Sequence, residues 1–398
     1  MKRITIFGAG YVGLVTACAL ADSGNEVAVV ETNPNKLESL KNGVIPIFEP
    51  GLADLFKRNL RTGNLSFHAE FKSDDSEIIF ICVGTPSLDD GSTDLSSVLS
   101  VAQTLGKSDI SDQALVVLKS TCPPGTTNRI KGILREFGKK CDVAFNPEFL
   151  RQGSALDDTL RPERIVIGVE SNRASKILTE LFKPFVRNGN PIITTSIITA
   201  ELVKYVANCY LATRISFVNE VANLCEILGA NVQDLKTAVG LDSRIGTKYF
   251  YPGCGYGGSC FPKDVKSLIH FADAMGYDFK IAKACDEVNK YQRTVLAKKL
   301  IQYYHEINGK IFAVWGLAFK NGTDDVRESI AYYSLRELCG KGARFQAFDP
   351  EANEKFRSSY PDVANYIDFF NDQYSALRGS HALLIFTDWN SFKNPDLA

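Results

Sequence analysis

With 398 residues, 45% of them apolar and 23% charged, and a formal net charge of −1, the chain has the composition of a folded globular protein. Disordered and fibrous classes are excluded, and no overall field favours nucleic acid or an anionic membrane. At roughly 150 residues per domain the length fits two or three domains.

The ten cysteines show no CxxC and no zinc-type Cys/His spacing, which points to reduced thiols and no metal site. The N-terminus lacks a signal-peptide pattern, and no apolar run reaches the roughly 20 residues a bilayer requires. A cytoplasmic location is therefore expected.

In chain order, short β-branched runs alternate with helical stretches, the pattern of a parallel sheet covered by helices. Strands are predicted over residues 3–7, 26–30, 78–83, 115–119, 143–145, 165–169 and 192–194. Residues 198–228 form one helical run, free of Gly and Pro until Gly229. At about 30 residues it would be roughly 45 Å long, enough to join two domains and carry a dimer surface. Helices over 265–275 and 282–307 follow. A second α/β segment then has strands at 311–315, 344–348 and 382–386.

The first strand runs into Gly8-Ala-Gly10-Tyr11-Val12-Gly13, a GxGxxG turn that opens a helix. Such glycines let the turn close and let backbone amides approach a pyrophosphate. A second strand ends in Glu31, about 20 residues on, where an acid can accept from ribose hydroxyls and repel a 2′-phosphate. The cofactor expected is NAD. Lys36 is either a surface lysine or an adenosine contact. The loops holding Thr85 and Thr121 follow later strand ends, where open α/β sheets bind ligands.

Residues 253–264 place four glycines around Cys254 and Cys260, with Pro262 opening a helical pattern. A cysteine near a helix N-terminus with lysines nearby favours the thiolate, so Cys260 is the candidate nucleophile and Cys254 its competitor. Lys204 and Asn208, four apart on the long helix, share a face. A lysine in so apolar a run needs a function or a partner, Glu201 or another acid. Glu148, past another strand end, is a candidate base.

Taken in order, GAGYVG (8–13), FEPGL (48–52), CVGTP (82–86), NPEFL (146–150), ELVKYVAN (201–208), GYGGSCFPKD (255–264), GLAFKNGTDDVRES (316–329) and TDW (387–389) resemble the UDP-glucose/GDP-mannose dehydrogenase family over essentially the whole chain. The resemblance implies an α/β protein with two Rossmann-like, doubly wound parallel-sheet domains, joined by a long central helix and a small all-helical domain. The divisions expected are 1–196, 197–300 and 301–398. It implies a four-electron oxidation of a nucleotide sugar at C6, with Cys260 forming a thiohemiacetal and then a thioester, and two NAD reduced per sugar.

By the same resemblance Lys204 and Asn208 stabilise and bind the oxyanion, Asp264 and Thr121 organise water, and Glu148 is the general base. Glu31, Lys36, Thr85, Thr121, Gln152, Lys263 and Arg327 match cofactor contacts. The sugar nucleotide would meet Glu148, Phe149, Leu150, Arg151, Gln152, Lys204, Asn208, Tyr249, Phe250, Tyr251, Pro252, Gly253, Gly257 and Lys320, with Arg244 reaching in from a second copy of a homodimer.

Gln152 stands where many members carry a second glutamate. The chain also stops at Ala398, before a strand and an arginine that members usually supply, so an incomplete C-terminal segment is expected. Residues 242–246, the cysteine loop and TDW fit the UDP-glucose branch, with GDP-mannose as the alternative. A two-electron β-hydroxyacid dehydrogenase using Lys204 alone, and a catalytically silent nucleotide-sugar-binding protein, are the other readings.

Overall fold

The computed structural model describes residues 1–72, 75–186 and 189–396, in two compact units, Met1–Val206 and Ala207–Ala398. In the first unit eight strands form one sheet: β1 (Arg3–Phe7), β2 (Glu26–Val30), β3 (Leu65–His68), β4 (Ile78–Ile81), β5 (Leu115–Leu118), β6 (Asp142–Phe145), β7 (Ile165–Gly168) and β8 (Ile192–Thr195), in the order β3-β2-β1-β4-β5-β6-β7-β8.

Successive side chains of a strand point to opposite faces. Ile78 and Phe80 of β4 join a core built on the helices Tyr11–Asp22 and Leu52–Thr62, whereas Ile79 and Ile81 join one built on Ser96–Lys107 and Thr126–Glu136. Both faces are therefore dry, which is why these strands read as continuous apolar runs.

Neighbouring strands run parallel, except that β6 and β7 meet antiparallel at Phe145 and Gly168. β3 falls outside the predicted set: Leu65 and Phe67 point inward, but Ser66 and His68 give the run a polar character.

The helix Ile197–Leu228 is the long one expected, and the unit boundary falls within it. In the second unit the predicted helix over 282–307 is two helices, Lys280–Gln292 and Val295–Tyr304, separated at Arg293 and Thr294. Buried Arg293 pairs with Glu328 there. The helix predicted from 265 starts earlier, at Phe261. A four-stranded parallel sheet follows, β9 (Ile311–Trp315), β10 (Arg344–Phe348), β11 (Ile367–Phe369) and β12 (Ala382–Ile385), in the order β11-β10-β9-β12. The three-residue β11 was not foreseen.

No helix among the described residues is long and apolar enough to cross a membrane, and these residues hold no His/Cys/Asp/Glu cluster suited to a metal.

Candidate active site

The nucleotide cradle follows from three glycines with different tasks. Gly8 has φ +97°, and a Cβ there would lie 2.8 Å from the Cys82 carbonyl oxygen. Gly13 sits so close beneath the turn that its Cβ would come within 1.9 Å of the Gly8 carbonyl oxygen. Gly10 faces open space, with nothing within 4 Å of a Cβ. It precedes the helix Tyr11–Asp22, whose first amides receive no side-chain cap, so Tyr11 and Val12 begin a helix with donors aimed outward, as an anion site needs.

Glu31 follows β2 and is buried. Its carboxylate accepts from the Ala9 amide at 3.3 Å and the Asn33 amide at 2.9 Å, and Lys36 Nζ lies 3.0 Å away. Burial pushes its pKa up, but the Asn33 amide and the Lys36 charge outweigh this and hold it below the ordinary value. This donor and acceptor set fits an NAD dinucleotide: amides for the pyrophosphate and a charged acid for the ribose.

Tyr11 donates its phenol to Glu49, and the Gly153 amide donates to both of them, at 3.1 and 2.8 Å. Glu49, in the FEPGL segment, thereby fastens the cradle to the loop that follows Glu148. The FEPGL pattern by itself carries no sign of this role. Thr85 Oγ1 donates to the Thr121 carbonyl at 2.9 Å, joining the loops after β4 and β5.

The first unit also brings together Glu148 and Lys204. Their oxygen and nitrogen lie 2.8 Å apart, with side chains only 7% and 3% exposed. Burial alone would raise the Glu148 pKa; the Lys204 charge and hydrogen bond, the Leu150 amide at 2.7 Å and the Lys119 charge together hold it below the usual range. Lys204 is therefore paired with Glu148. Glu201 instead accepts from the amides of Gly125 at 2.7 Å and Thr127 at 2.8 Å, at the start of the helix Thr126–Glu136.

The Phe149 ring carries the Arg164 guanidinium at 3.9 Å and Lys204 Nζ at 5.7 Å. Arg151 is occupied by Asp158, its amide donating at 2.8 Å. Leu150 and Gln152 are half-buried beside it.

In the second unit Cys260 is the half-buried N-cap residue of the helix Phe261–Ala274, with Pro262 in the first turn. Proline there costs no hydrogen bond, and the helix dipole favours an anion at that end. Asp264 is fully buried and accepts from Asn208 Nδ2 at 2.6 Å, while Lys263 Nζ lies 2.6 Å from its other oxygen. Arg327, within electrostatic reach of Cys260, is held by Asp325, whose hydrogen bonds raise its pKa further. Cys254 differs: burial pushes its thiol up to about 11, which keeps it protonated.

The cysteine loop is clamped against the segment around Glu328. A Cβ on Gly257 would lie 2.2 Å from the Glu328 carbonyl oxygen, and the Gly258 amide donates to the Arg327 carbonyl at 3.0 Å. Gly253 donates to Asn219 Oδ1 at 2.8 Å and accepts from Gln292 Nε2 at 2.7 Å, and the Asn289 side chain bonds both main-chain groups of Tyr256. These amide side chains went unnoticed because isolated Asn and Gln residues in helices leave no periodic signal.

Tyr249 adopts φ +57° with its ring near Phe261, and Phe250 is buried. Tyr251 is exposed and Pro252 half-buried. Arg244 is paired with Asp242 yet 86% exposed, and Lys320 lies 5.9 Å from the Phe319 ring.

A dinucleotide cradle at the carboxyl edge of a mainly parallel sheet is the arrangement of an NAD-binding dehydrogenase. Three models of the UDP-glucose/GDP-mannose dehydrogenase family match the chain: the NAD binding domain over residues 2–186, the central domain over 198–291 and the UDP binding domain over 313–398. The chain belongs to this family and is an NAD-dependent dehydrogenase.

It is 42% identical to a UDP-glucose 6-dehydrogenase of Pseudomonas aeruginosa, over 99% of this chain and 89% of the relative. It is also 42% identical to the UDP-glucose 6-dehydrogenase TuaD of Bacillus subtilis, over 100% and 86%. A solved UDP-glucose dehydrogenase from the hyperthermophilic archaeon Pyrobaculum islandicum superposes with a TM-score of 0.95 at 40% identity, covering 100% of this chain and 92% of that one.

Proposed function

We propose that the chain oxidises UDP-glucose at C6 to UDP-glucuronate, in two hydride-removing steps linked by a covalent bond to Cys260. The observation that carries this reading is the half-buried Cys260 at a helix N-terminus, one turn before Asp264, which Asn208 and Lys263 hold. A two-electron alcohol dehydrogenase has no use for such a sulfur. Bound NAD supplies the hydride acceptor, one molecule for each step.

Loss of hydride from C6 and of the proton from its hydroxyl leaves an aldehyde, which itself has no second hydride to give without first adding a nucleophile. The Cys260 sulfur adds to the aldehyde carbon, and the thiohemiacetal so formed retains the C6 hydrogen. Its departure as hydride, with loss of the hydroxyl proton, leaves a thioester, which water cleaves to the carboxylate and the free thiol. Lys204 and Asn208 stabilise negative charge on the C6 oxygen, a role for donors fixed in place before the charge develops. Asp264 and Thr121 orient water. Glu148 takes the proton, and does so as a stronger base once Lys204 turns to the oxyanion and no longer holds its pKa down.

In this reading residues 1–196 bind NAD, 197–300 carry the cysteine, and 301–398 hold the uridine diphosphate, with Lys320 on the nucleotide. The acting form is a homodimer. Ile198, Leu202, Val206, Tyr210, Phe217 and Leu224 are large, exposed and spaced along the helix Ile197–Leu228, a stripe that a second copy would cover. No disulfide joins the cysteines of the described residues, in keeping with the reducing cytoplasm.

Purified protein incubated with NAD and limiting sugar nucleotide tests the reaction. About two NADH per UDP-glucose, and little with GDP-mannose, is expected. One NADH per sugar would favour the two-electron reading, and a preference for GDP-mannose would reassign the substrate.

A further inference from the structure

Lys119, the first residue past β5, is a buried lysine. Its ammonium has no carboxylate within 4.0 Å among the described residues and donates to the neutral side chain of Asn146 at 2.8 Å. Asn146 donates in turn to the Val166 carbonyl at 2.9 Å, and its own amide bonds the Leu118 carbonyl, so the pairing of β5 with β6 fixes both residues.

Keeping an ammonium out of water without a counter-ion is costly, and folds retain such groups mainly where charge has a use. Burial pulls the ionisation of Lys119 down; the nearby Cys82 and Glu148 pull it up, and Lys204 opposes it. Cys82 is itself pushed up to about 12 by burial and stays a neutral thiol. Lys204 pairs directly with Glu148, and Lys119 lies within electrostatic reach of both.

We propose that Lys119 is a positioning residue, the reserve counter-ion that keeps Glu148 charged and in place while the Lys204 ammonium is drawn to an oxyanion on the substrate. The inference rests on the roles given above to Lys204 and Glu148. With Lys204 as its only cation, Glu148 would be stranded as a buried unpaired anion at the moment Lys204 turned away, and would take up a proton from solution instead. The groups that face Glu148 are Lys204 from the long helix, Lys119 from the end of β5, Cys82 from the end of β4 and the Leu150 amide from its own loop.

Removing Lys204 by mutation imitates its departure. Infrared titration of the full-length protein without substrate, with Glu148→Gln identifying the carboxyl band, then reads the ionisation of Glu148 directly. The midpoint in Lys204→Met/Lys119→Met should lie at least about one pH unit above that in Lys204→Met, and Lys204→Met/Lys119→Arg should restore it. In otherwise unaltered protein, Lys119→Met should move the acid limb of kcat upward by a similar amount and leave KM for UDP-glucose nearly unchanged.

Equal infrared midpoints overturn the proposal. So does a Lys119→Met protein that loses activity at every pH without a shift, or neutral variants that fail to fold while Lys119→Arg folds. The infrared arm needs no turnover, so failure of the proposed reaction would show in the NADH count and leave this test standing.

Discussion

Replacing Gly10 or Gly13 by alanine adds one methyl group to the same turn, and the structure assigns the two changes opposite consequences. At Gly13 the new carbon would lie 1.9 Å from the Gly8 carbonyl oxygen, a backbone atom. Ordinary van der Waals contact begins at 3.4 Å, so the helix Tyr11–Asp22 or the turn must shift by more than an ångström. Overpacking of this kind costs about 1–3 kcal/mol or more, against which the better helix propensity of alanine returns at most about 1 kcal/mol.

At Gly10 the methyl group meets nothing, and the backbone, at φ −71° and ψ −173°, suits alanine. Folding stability should be unchanged or higher by roughly 0.4–1 kcal/mol. The space it enters is where the pyrophosphate must approach the amides. Loss of two charge-assisted hydrogen bonds there, at about 1.5–3 kcal/mol each, weakens NAD binding by at least about a hundredfold.

Urea unfolding followed by far-UV circular dichroism, with NAD titration by calorimetry, separates the two effects. Gly10→Ala protein that binds NAD at wild-type affinity, or Gly13→Ala protein of wild-type stability, would refute the reasoning.

Three further outcomes are expected. Cys260→Ser should reduce steady turnover by roughly three orders of magnitude or more, whereas Cys254→Ser should retain it, because the Cys254 thiol is held protonated up to about pH 11; NADH formation rates measure both. The folded-state pKa of Glu31 is depressed, so its stabilisation is complete above the unfolded value of about 4.3 and is lost as pH falls through the lower folded value; Glu31→Gln should flatten that part of the stability profile in acid unfolding experiments. Phe217→Glu together with Leu224→Glu should convert a dimer into monomers in sedimentation velocity, since both side chains are exposed on the long helix.

What the sequence disclosed and what it withheld divide along physical lines. The strands around Ile4, Val29 and Phe80 were legible because a sheet buried on both faces needs uninterrupted apolar runs. The position of Cys260 at a helix start was legible because Pro262 fits the first turn and no later one. β3 was missed because His68 and Ser66 interrupt its apolar run, and the break at Arg293 because a buried arginine looks like a surface one until its distant partner, Glu328, is known.

The same limit applies to charge. Lys204 could be singled out within an apolar helix, but its pairing with Glu148 joins residues far apart in sequence. Lys119 closes a predicted strand, but nothing local marks Asn146 as its partner. Local pattern reveals which residues are unusual for their surroundings, and only the fold reveals which of them share one environment.

Mass spectrometry of protein quenched during turnover with UDP-glucose and NAD tests the central assignment most directly. The peptide containing Cys260 should carry the mass of a uridine-diphosphate-linked sugar acyl group, and the adduct should vanish in Cys260→Ser protein. A sulfur on Cys260 that stays unmodified while two NADH form per sugar, or an adduct on Cys254 instead, would contradict the account.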